Sequence, residues 1–554
     1  MMSFAFSKQQ RCSTLSKVTL SPATILVMTI LFVMLLDNRT FWSIGADAFS
    51  GHPWAFAGIV VALCCLTFAV LSPFALPWTV KPVAIFILIL SSMTSYYMDT
   101  LGVFIDREMV QNAMVTTVSE SKHLITLRFV THVVIYGALP ATIVSLIRVK
   151  RQSKIATFGT PLVLALISLL FTVGLLLLDF KAYASVLRDR KDFMASYQPG
   201  APIVGTARYL AMMGKTINTV VQPIGGDAVK GPSFAGTLKP SLTILVIGET
   251  ARAQNFGLNG YAVQTTPQLS QLPIMNFRSV SSCGTSTAVS LPCMFSKFGR
   301  ANYSFEQGVT HQNVLDIMSH AGLAVEWWDN NTGHKGLADR IASRSFEDAA
   351  VAEFCSSGEC NDGIFLHALK SYAADITQDT VLVFHQIGSH GPAYYLRYPV
   401  EFETFKPACR SVDFKRCTPQ EILNSYDNTI AYTDINLAET ITFLQTQNHL
   451  STSLLYVSDH GESLGEGGLY LHGTPYFMAP DEQTKVPMIL WMSNEFSDQF
   501  NHERDCLVDK ETSALSHDNL FHSLLGMLDI QIQEYDAELD FFASCKRTRH
   551  VKLQ

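Results

Sequence analysis

Hydrophobic positions are concentrated in the first third of the chain. Residues 18–36, 48–80, 82–98, 129–147 and 155–178 each lack Asp, Glu, Lys and Arg. A helix rises about 1.5 Å per residue, so about 20 residues cross a hydrocarbon core of roughly 30 Å. The runs predict five transmembrane helices, near 20–38, 55–75, 82–98, 128–147 and 158–179. Buried helices of a soluble core would require the same coincidence five times. Ala46-Asp47-Ala48 matches a signal-peptide cleavage pattern, but it lies about ten residues past the first apolar run, and cleavage sites follow that run closely.

After residue 180 the pattern changes twice. Lys181 to Tyr197 mixes apolar and basic positions, Pro199-Gly200 interrupts it, and Tyr209 to Val221 reads as a further amphipathic helix. This bridge suits either the membrane interface or a solvated linker. From about 240, three apolar runs have strand character: Leu242-Thr-Ile-Leu-Val-Ile247, Thr380-Val-Leu-Val-Phe384 and Ser453-Leu-Leu-Tyr-Val457. Uninterrupted runs of this length suit strands buried on both faces of a parallel sheet. The expected organisation is a helical membrane domain over 1–180, a bridge over 181–238, and an α/β domain over 239–554.

Composition agrees with a membrane protein. Only 16% of the 554 residues are charged, and the mean hydropathy is +0.21. The 40 Lys and Arg against 47 Asp and Glu give a net charge of −7, which excludes a broad nucleic-acid-binding face. Lys8, Arg11 and Lys17 precede the first helix, and Arg148, Lys150, Arg151 and Lys154 lie between the fourth and fifth. Placing both groups in the cytoplasm puts everything after the fifth helix outside. Lys181, Arg188, Arg190 and Lys191 weigh weakly against this, and the cysteines decide it. Of 11 cysteines, eight follow residue 280, in the close pairs Cys283/Cys293, Cys355/Cys360 and Cys409/Cys417, with Cys506 and Cys545 remaining. Disulfides between them need an oxidising compartment such as a bacterial periplasm. Cys12, Cys64 and Cys65 read as free thiols, and the absence of a C-x-x-C pair disfavours a zinc ribbon.

Each strand-like run ends in residues able to bind a ligand. The first leads to Gly248-Glu249-Thr250, the second to His385 through His390, and the third to Ser458-Asp459-His460-Gly461-Glu462. Open α/β sheets bind at the carboxyl ends of their strands, so Glu249, His390, Asp459 and His460 are expected to converge. Their side chains form a donor set suited to Zn²⁺, with His472 a further ligand from a later loop. Ser281 through Cys293 is rich in hydroxyls, with a helix start expected at Ala288-Val289. A helix N-terminus suits phosphate, and a metal can activate an alcohol, so Thr285, Ser286 and Thr287 are all candidate nucleophiles. In Asn330 to Lys335, the Lys335 and His334 side chains could hold a phosphate oxygen, with Asn331 and Thr332 donating hydrogen bonds.

Several stretches together resemble one family. They are Ile247-Gly-Glu-Thr-Ala-Arg252, Ser282-Cys-Gly-Thr-Ser-Thr-Ala-Val-Ser-Leu-Pro-Cys-Met-Phe-Ser296, Trp328-Asp-Asn-Asn331, Gly388-Ser-His-Gly-Pro392, Ser458-Asp-His-Gly-Glu-Ser463, His472-Gly-Thr-Pro-Tyr476 and Ser516-His-Asp-Asn-Leu520. With five helices before them, they resemble the membrane phosphoethanolamine transferases that modify lipid A. These lie within the alkaline phosphatase/sulfatase-like superfamily and include the mobile colistin resistance enzymes. The resemblance implies Thr287 as nucleophile, with a tightly held Zn²⁺ among Glu249, Thr287, Asp459 and His460. It implies that His390 and His472 bind a second zinc or the transferring phosphoryl group, and that Thr285, Asn331, Thr332, Lys335, Glu462 and Pro475 bind substrate. The implied donor is phosphatidylethanolamine and the implied acceptor a phosphate of lipid A. The implied protein is a monomer in the Gram-negative inner membrane with its catalytic domain in the periplasm. Rivals are transfer to core heptose or another glycan, phosphoglycerol transfer, and an inactive membrane sensor with a sulfatase-like domain. A true sulfatase is disfavoured because Cys283 is followed by Gly284-Thr285-Ser286-Thr287 rather than by the x-Pro-x-Arg sequence.

Overall fold

The computed structural model describes residues 18–216, 220–237, 239–346, 351–356 and 359–547. Lys8, Arg11, Cys12 and Lys17 lie outside the described residues, as do positions 217–219 of the expected Tyr209–Val221 helix. The chain forms two compact units. One runs to Asp99 and includes Leu127–Ala201; the other comprises Thr100–Thr126 and Pro202 onward.

Among the described residues of the first unit, four helices are long and apolar enough to cross a membrane: Pro53–Phe74, Val80–Leu101, Leu127–Leu146 and Lys154–Leu178. The expected first helix is a bent pair, Pro22–Leu36 and Arg39–Ala48, with 68° between them, which makes a fifth span if the pair crosses as one. The helix expected over 20–38 therefore ends at Leu36. Polarity stops it: the Val33 carbonyl takes Asp37 N–H at 2.9 Å as the helix ends, and Asn38 Nδ2 donates to that carbonyl and to the carbonyl of Gln198, both at 3.0 Å. Ser21 caps the start, accepting from Thr24 N at 3.1 Å, with Pro22 in the first helical position.

Residues 180–197 fold onto this unit as helices Phe180–Asp189 and Lys191–Ala195. Phe193 is buried and stacks on Phe41 at 4.7 Å, with Tyr183 and Tyr197 buried beside it. Their aromatic face is thus covered by protein. The next helix spans Gly200–Thr216, starting earlier than expected because Pro202 falls in its first turn, where a missing N–H costs nothing.

The second unit is built on an eight-stranded sheet. Its strands are β1 (Ser241–Gly248), β2 (Met275–Ser281), β3 (Ala324–Asp329), β4 (Ala342–Ser345), β5 (Thr380–His385), β6 (Ser451–Ser458), β7 (Lys485–Met492) and β8 (Leu515–Ser516). The spatial order is β8-β2-β7-β6-β1-β5-β3-β4. β6, β1, β5, β3 and β4 are parallel, while β7 runs antiparallel to β6 and β2. Alternate residues of the central strands enter two cores. Leu245, Ile247, Val381, Val383, Leu455 and Val457 face one, and Leu242, Ile244, Val246, Leu382, Phe384 and Tyr456 the other. Burial on both faces is why these strands are continuously apolar. Helix Pro419–Gln445, closed by a capping box of Thr418 and Glu421, covers the second face.

Register sets up the site. His385 pairs with Ile247 and with Asp329, and Ser458 pairs with Gly248. The residues following β1, β3, β5 and β6 therefore emerge at one edge of the sheet. Four disulfides join the expected pairs among the described residues: Cys283–Cys293, Cys355–Cys360, Cys409–Cys417 and Cys506–Cys545. Cys64 and Cys65 are free.

Candidate active site

Glu249, Asp459 and His460 leave the ends of β1 and β6 fully buried, at 0% exposure. One ligand atom from each lies within 4.8 Å of the others. Helix Thr287–Met294 brings the fourth member. Its N-cap is Ser286, whose side chain makes no capping bond, so the helix starts one residue before the expected Ala288. Thr287 Oγ1 donates to Glu249 Oε2 at 2.9 Å and lies 3.1 Å from Oε1 and 3.3 Å from His460 Nε2. Thr285 is turned elsewhere, its hydroxyl donating to Thr474 O at 2.7 Å.

The backbone explains how these side chains are held. Gly388 has φ +50°, and a Cβ there would sit 2.7 Å from Glu249 O, so the β5 loop packs against β1 only with glycine. Gly461 is required by a different contact, since a Cβ would collide with the Glu482 carbonyl. Thr250 has φ 51°, a strained conformation for a β-branched residue. Its N–H donates to Asp459 Oδ1 at 3.2 Å, and its carbonyl accepts from Tyr426 at 2.7 Å. His517 ties the loop that leads to Thr287 to β6: its Nδ1 accepts from Cys283 N and its Nε2 donates to Ser458 O, both at 3.0 Å.

The donor set fits a metal ion. His460 Nδ1 donates to Gly461 O at 2.9 Å, which leaves the Nε2 lone pair facing Thr287 and Glu249. Burial holds this imidazole well below its usual pKa, in the neutral form a ligand needs. Asp459 Oδ1 accepts two backbone N–H bonds, whereas Oδ2 is buried with no hydrogen-bond partner among the described residues. Burial pushes this carboxyl up, and a cation would restore the charged form.

The remaining expected residues fall into two groups. His390 and His472 stand beside His460, with ring centres 5.3 Å apart for His390–His472 and 4.6 Å for His460–His472. Glu462 lies behind them, its carboxylate accepting from His472 Nδ1 at 2.8 Å and from the Tyr394 hydroxyl at 2.6 Å. Asn331 likewise lies behind Glu249: its amide donates to Glu249 Oε2 at 2.7 Å and to Gln386 O at 2.8 Å. Thr332 follows with its N–H on Asn331 Oδ1 at 2.8 Å. Lys335 Nζ donates to the carbonyls of Thr332 at 2.6 Å and Val115 at 3.3 Å. Pro475 lines a cavity of about 280 Å³ beside helix Thr287–Met294, with Gly284, Val289, Arg107, Arg300 and Tyr476.

Sequence reasoning reaches His385 only as the first residue of a ligand-bearing strand end, and it misses Asp329 and Asp362. Asp329 Oδ2 accepts from His385 Nδ1 at 2.9 Å, and Asp329 Oδ1 accepts from Asn331 N at 3.0 Å. Burial would raise the Asp329 carboxyl, but the His385 ring outweighs it and holds the group well below the usual range. Asp362 accepts from Ile387 N at 3.0 Å and Gly388 N at 2.9 Å. The strand-end rule would have found Asp329 had β3 been continuously apolar; Glu326 breaks its run.

Known proteins share this architecture. A family profile described as Sulfatase matches residues 241–530, and one described as Phosphoethanolamine transferase EptA/EptB matches 63–213. Phosphoethanolamine transferase EptA of Escherichia coli K12 is 37% identical over 476 residues, covering 85% of this chain and 86% of that one. Phosphatidylethanolamine transferase Mcr-1 of Escherichia coli is 34% identical over 549 residues, 94% and 97% of the two chains. The structure of the integral membrane protein lipooligosaccharide phosphoethanolamine transferase A from Neisseria meningitidis superposes with a TM-score of 0.91 at 35% identity, covering 96% of this chain and all of that one. The membrane helices and the disulfide-bonded outer unit are those of an inner-membrane protein with a periplasmic domain. With likeness of this extent in both units, the chain belongs to the membrane phosphoethanolamine transferase family.

Proposed function

We propose that the protein transfers phosphoethanolamine from phosphatidylethanolamine to a phosphate of lipid A through a covalent intermediate on Thr287. The observation that carries this reading is the Thr287 hydroxyl 2.9 Å from a fully buried carboxylate within the Glu249/Asp459/His460 group. A zinc ion held by these three residues and the Thr287 oxygen would lower the pKa of the alcohol and offset charge on the phosphoryl oxygens. Thr287 Oγ1 forms a bond to phosphorus, the bond from phosphorus to the glycerol oxygen breaks, and diacylglycerol leaves. The proton that Thr287 releases is matched by one that His390 or His472 delivers to the departing oxygen. A lipid A phosphate oxygen then attacks phosphorus and gives up its proton, the bond to Thr287 breaks, and the departing oxygen takes up a proton to restore the hydroxyl, so the second half-reaction balances.

His390 and His472 serve the transferring phosphoryl group; the alternative role for the pair is to hold a second zinc ion. Thr332, Lys335 and Pro475 line the approach for substrate, while Asn331, Glu462 and Thr285 act on it through the groups they hold. Adding an amine to an anionic lipid lowers surface negative charge, so the activity should confer resistance to polymyxin and other cationic peptides. Mass spectrometry of lipid A from a Gram-negative host tests the reading. A phosphoethanolamine increment is expected with this protein and not with Thr287→Ala. An unmodified lipid A with well-expressed, zinc-loaded protein would overturn the acceptor and turn the search to glycans.

A further inference from the structure

We propose that the Glu359–Arg397 ion pair is a positioning device for His390, clamped on its outer side by Lys122 and His123. This rests on the role assigned to His390 above. Arg397 has a side chain only 2% exposed, and its two ends point to different tasks. Nε donates to the carbonyl of His390 at 2.9 Å, and Nη1 donates to Glu359 Oε2 at 2.9 Å. The other Glu359 oxygen accepts from His123 Nε2 at 3.1 Å and faces Lys122 Nζ at 3.7 Å. Lys122 and His123 belong to helix Val118–Leu124, part of the segment between the third and fourth apolar spans.

Glu359 stands on the hairpin closed by Cys355–Cys360. Two residues beyond that bridge, Asp362 holds the backbone N–H groups of Ile387 and Gly388. The loop carrying His390 is therefore gripped at 387 and 388 by one carboxylate and at 390 by the arginine that the other carboxylate orients. A displacement of about 1 Å in such a loop is enough to carry a ring out of proton-transfer range. A planar guanidinium can bond a carbonyl and a carboxylate in fixed directions, which a lysine cannot copy. Burial alone argues little for stability, because an ion pair of this kind is often replaceable by apolar packing. Its value lies in placing the imidazole.

The test is a double-mutant cycle on the full-length, zinc-loaded protein, reading steady-state transfer from phosphatidylethanolamine. His390→Ala alone establishes whether the ring matters, and wild-type activity there would overturn both the reading of His390 and this proposal. With His390 intact, Glu359→Gln is expected to lower kcat about tenfold with KM within about twofold. In the His390→Ala background the same change should add less than about twofold, since its effect passes through the ring. A tenfold loss in both backgrounds would mark a merely structural pair, and an unchanged kcat in the single variant would remove any role. Should Glu359→Gln fold poorly, Lys122→Ala with His123→Gln loosens the clamp from its more accessible side. A fall of about threefold is expected, again only where His390 is present; the same fall in both backgrounds would overturn the proposal.

Discussion

The side-chain amide of Asn331 bonds Glu249 Oε2 and the Gln386 carbonyl, so it fixes which way the Glu249 carboxylate faces. Outer partners of this sort are worth about 10–100-fold in metal affinity. Asn331→Leu, similar in volume and without donors, should weaken zinc binding by that factor in a competition titration while the fold is kept. Unchanged affinity would show that Glu249 is oriented without it. His502 belongs to a different ledger. It is fully buried with Nε2 on Met527 O at 2.9 Å, and burial lowers its pKa to about 4. The unfolded chain takes up this proton near pH 6.5 and the folded one only near 4. The favourable difference is thus complete above about pH 6.5 and is lost as pH falls toward 4, amounting to roughly 3 kcal/mol. Melting the protein at pH 7 and pH 5 should show a fall that His502→Gln reduces. At this scale the sequence reveals Glu249, Asp459 and His460, because each follows an uninterrupted apolar strand. It cannot separate Thr285 from Thr287, which are the same residue type two positions apart; only the fold turns one toward Thr474 and the other toward Glu249.

The element that carries Thr287 is short, eight residues from Thr287 to Met294, and the Cys283–Cys293 bridge ties its end to the loop before it. Short closed loops of this length stabilise by roughly 2–3 kcal/mol in the chain-entropy model. Cys283→Ser should therefore lower activity more than membrane insertion. Transfer rate and membrane-fraction yield measure the two, and normal activity would count against a supporting role for the bridge. The central strands were legible because a two-sided burial leaves a continuous apolar run. The break at Asp37-Asn38 was not, because a helix rule based on hydropathy does not see that Asn38 can bond the Val33 and Gln198 carbonyls and so end the helix. Nor does pattern reveal strand order: the alignment of Asp329 with His385 is a register fact that sequence distance hides.

On the scale of the molecule, the segregation of apolar runs into the first 180 residues makes the two-part organisation readable. Two segments depart from it: residues 100–126 lie between two apolar spans in sequence but pack with the second unit, and the expected bridge over 181–238 divides, its residues to Ala201 belonging to the first unit and those from Pro202 to the second. Helix Arg107–Val115 lies against helix Thr287–Met294, with Gln111 Nε2 donating to Ala288 O at 3.3 Å. A fragment beginning at Pro202 loses this cover. Its amides over 287–294 should exchange hydrogen faster than those of the whole protein, and equal protection would show that the helix is held by the outer sheet alone. The central claim is that Thr287 carries the transferred group. The direct measurement is peptide mass spectrometry of the zinc-loaded protein after incubation with phosphatidylethanolamine and no acceptor. A phosphoethanolamine increment on Thr287, discharged when lipid A is added, is the predicted result; transfer that proceeds with the increment on Thr285 or Ser286, or on no residue, would contradict it.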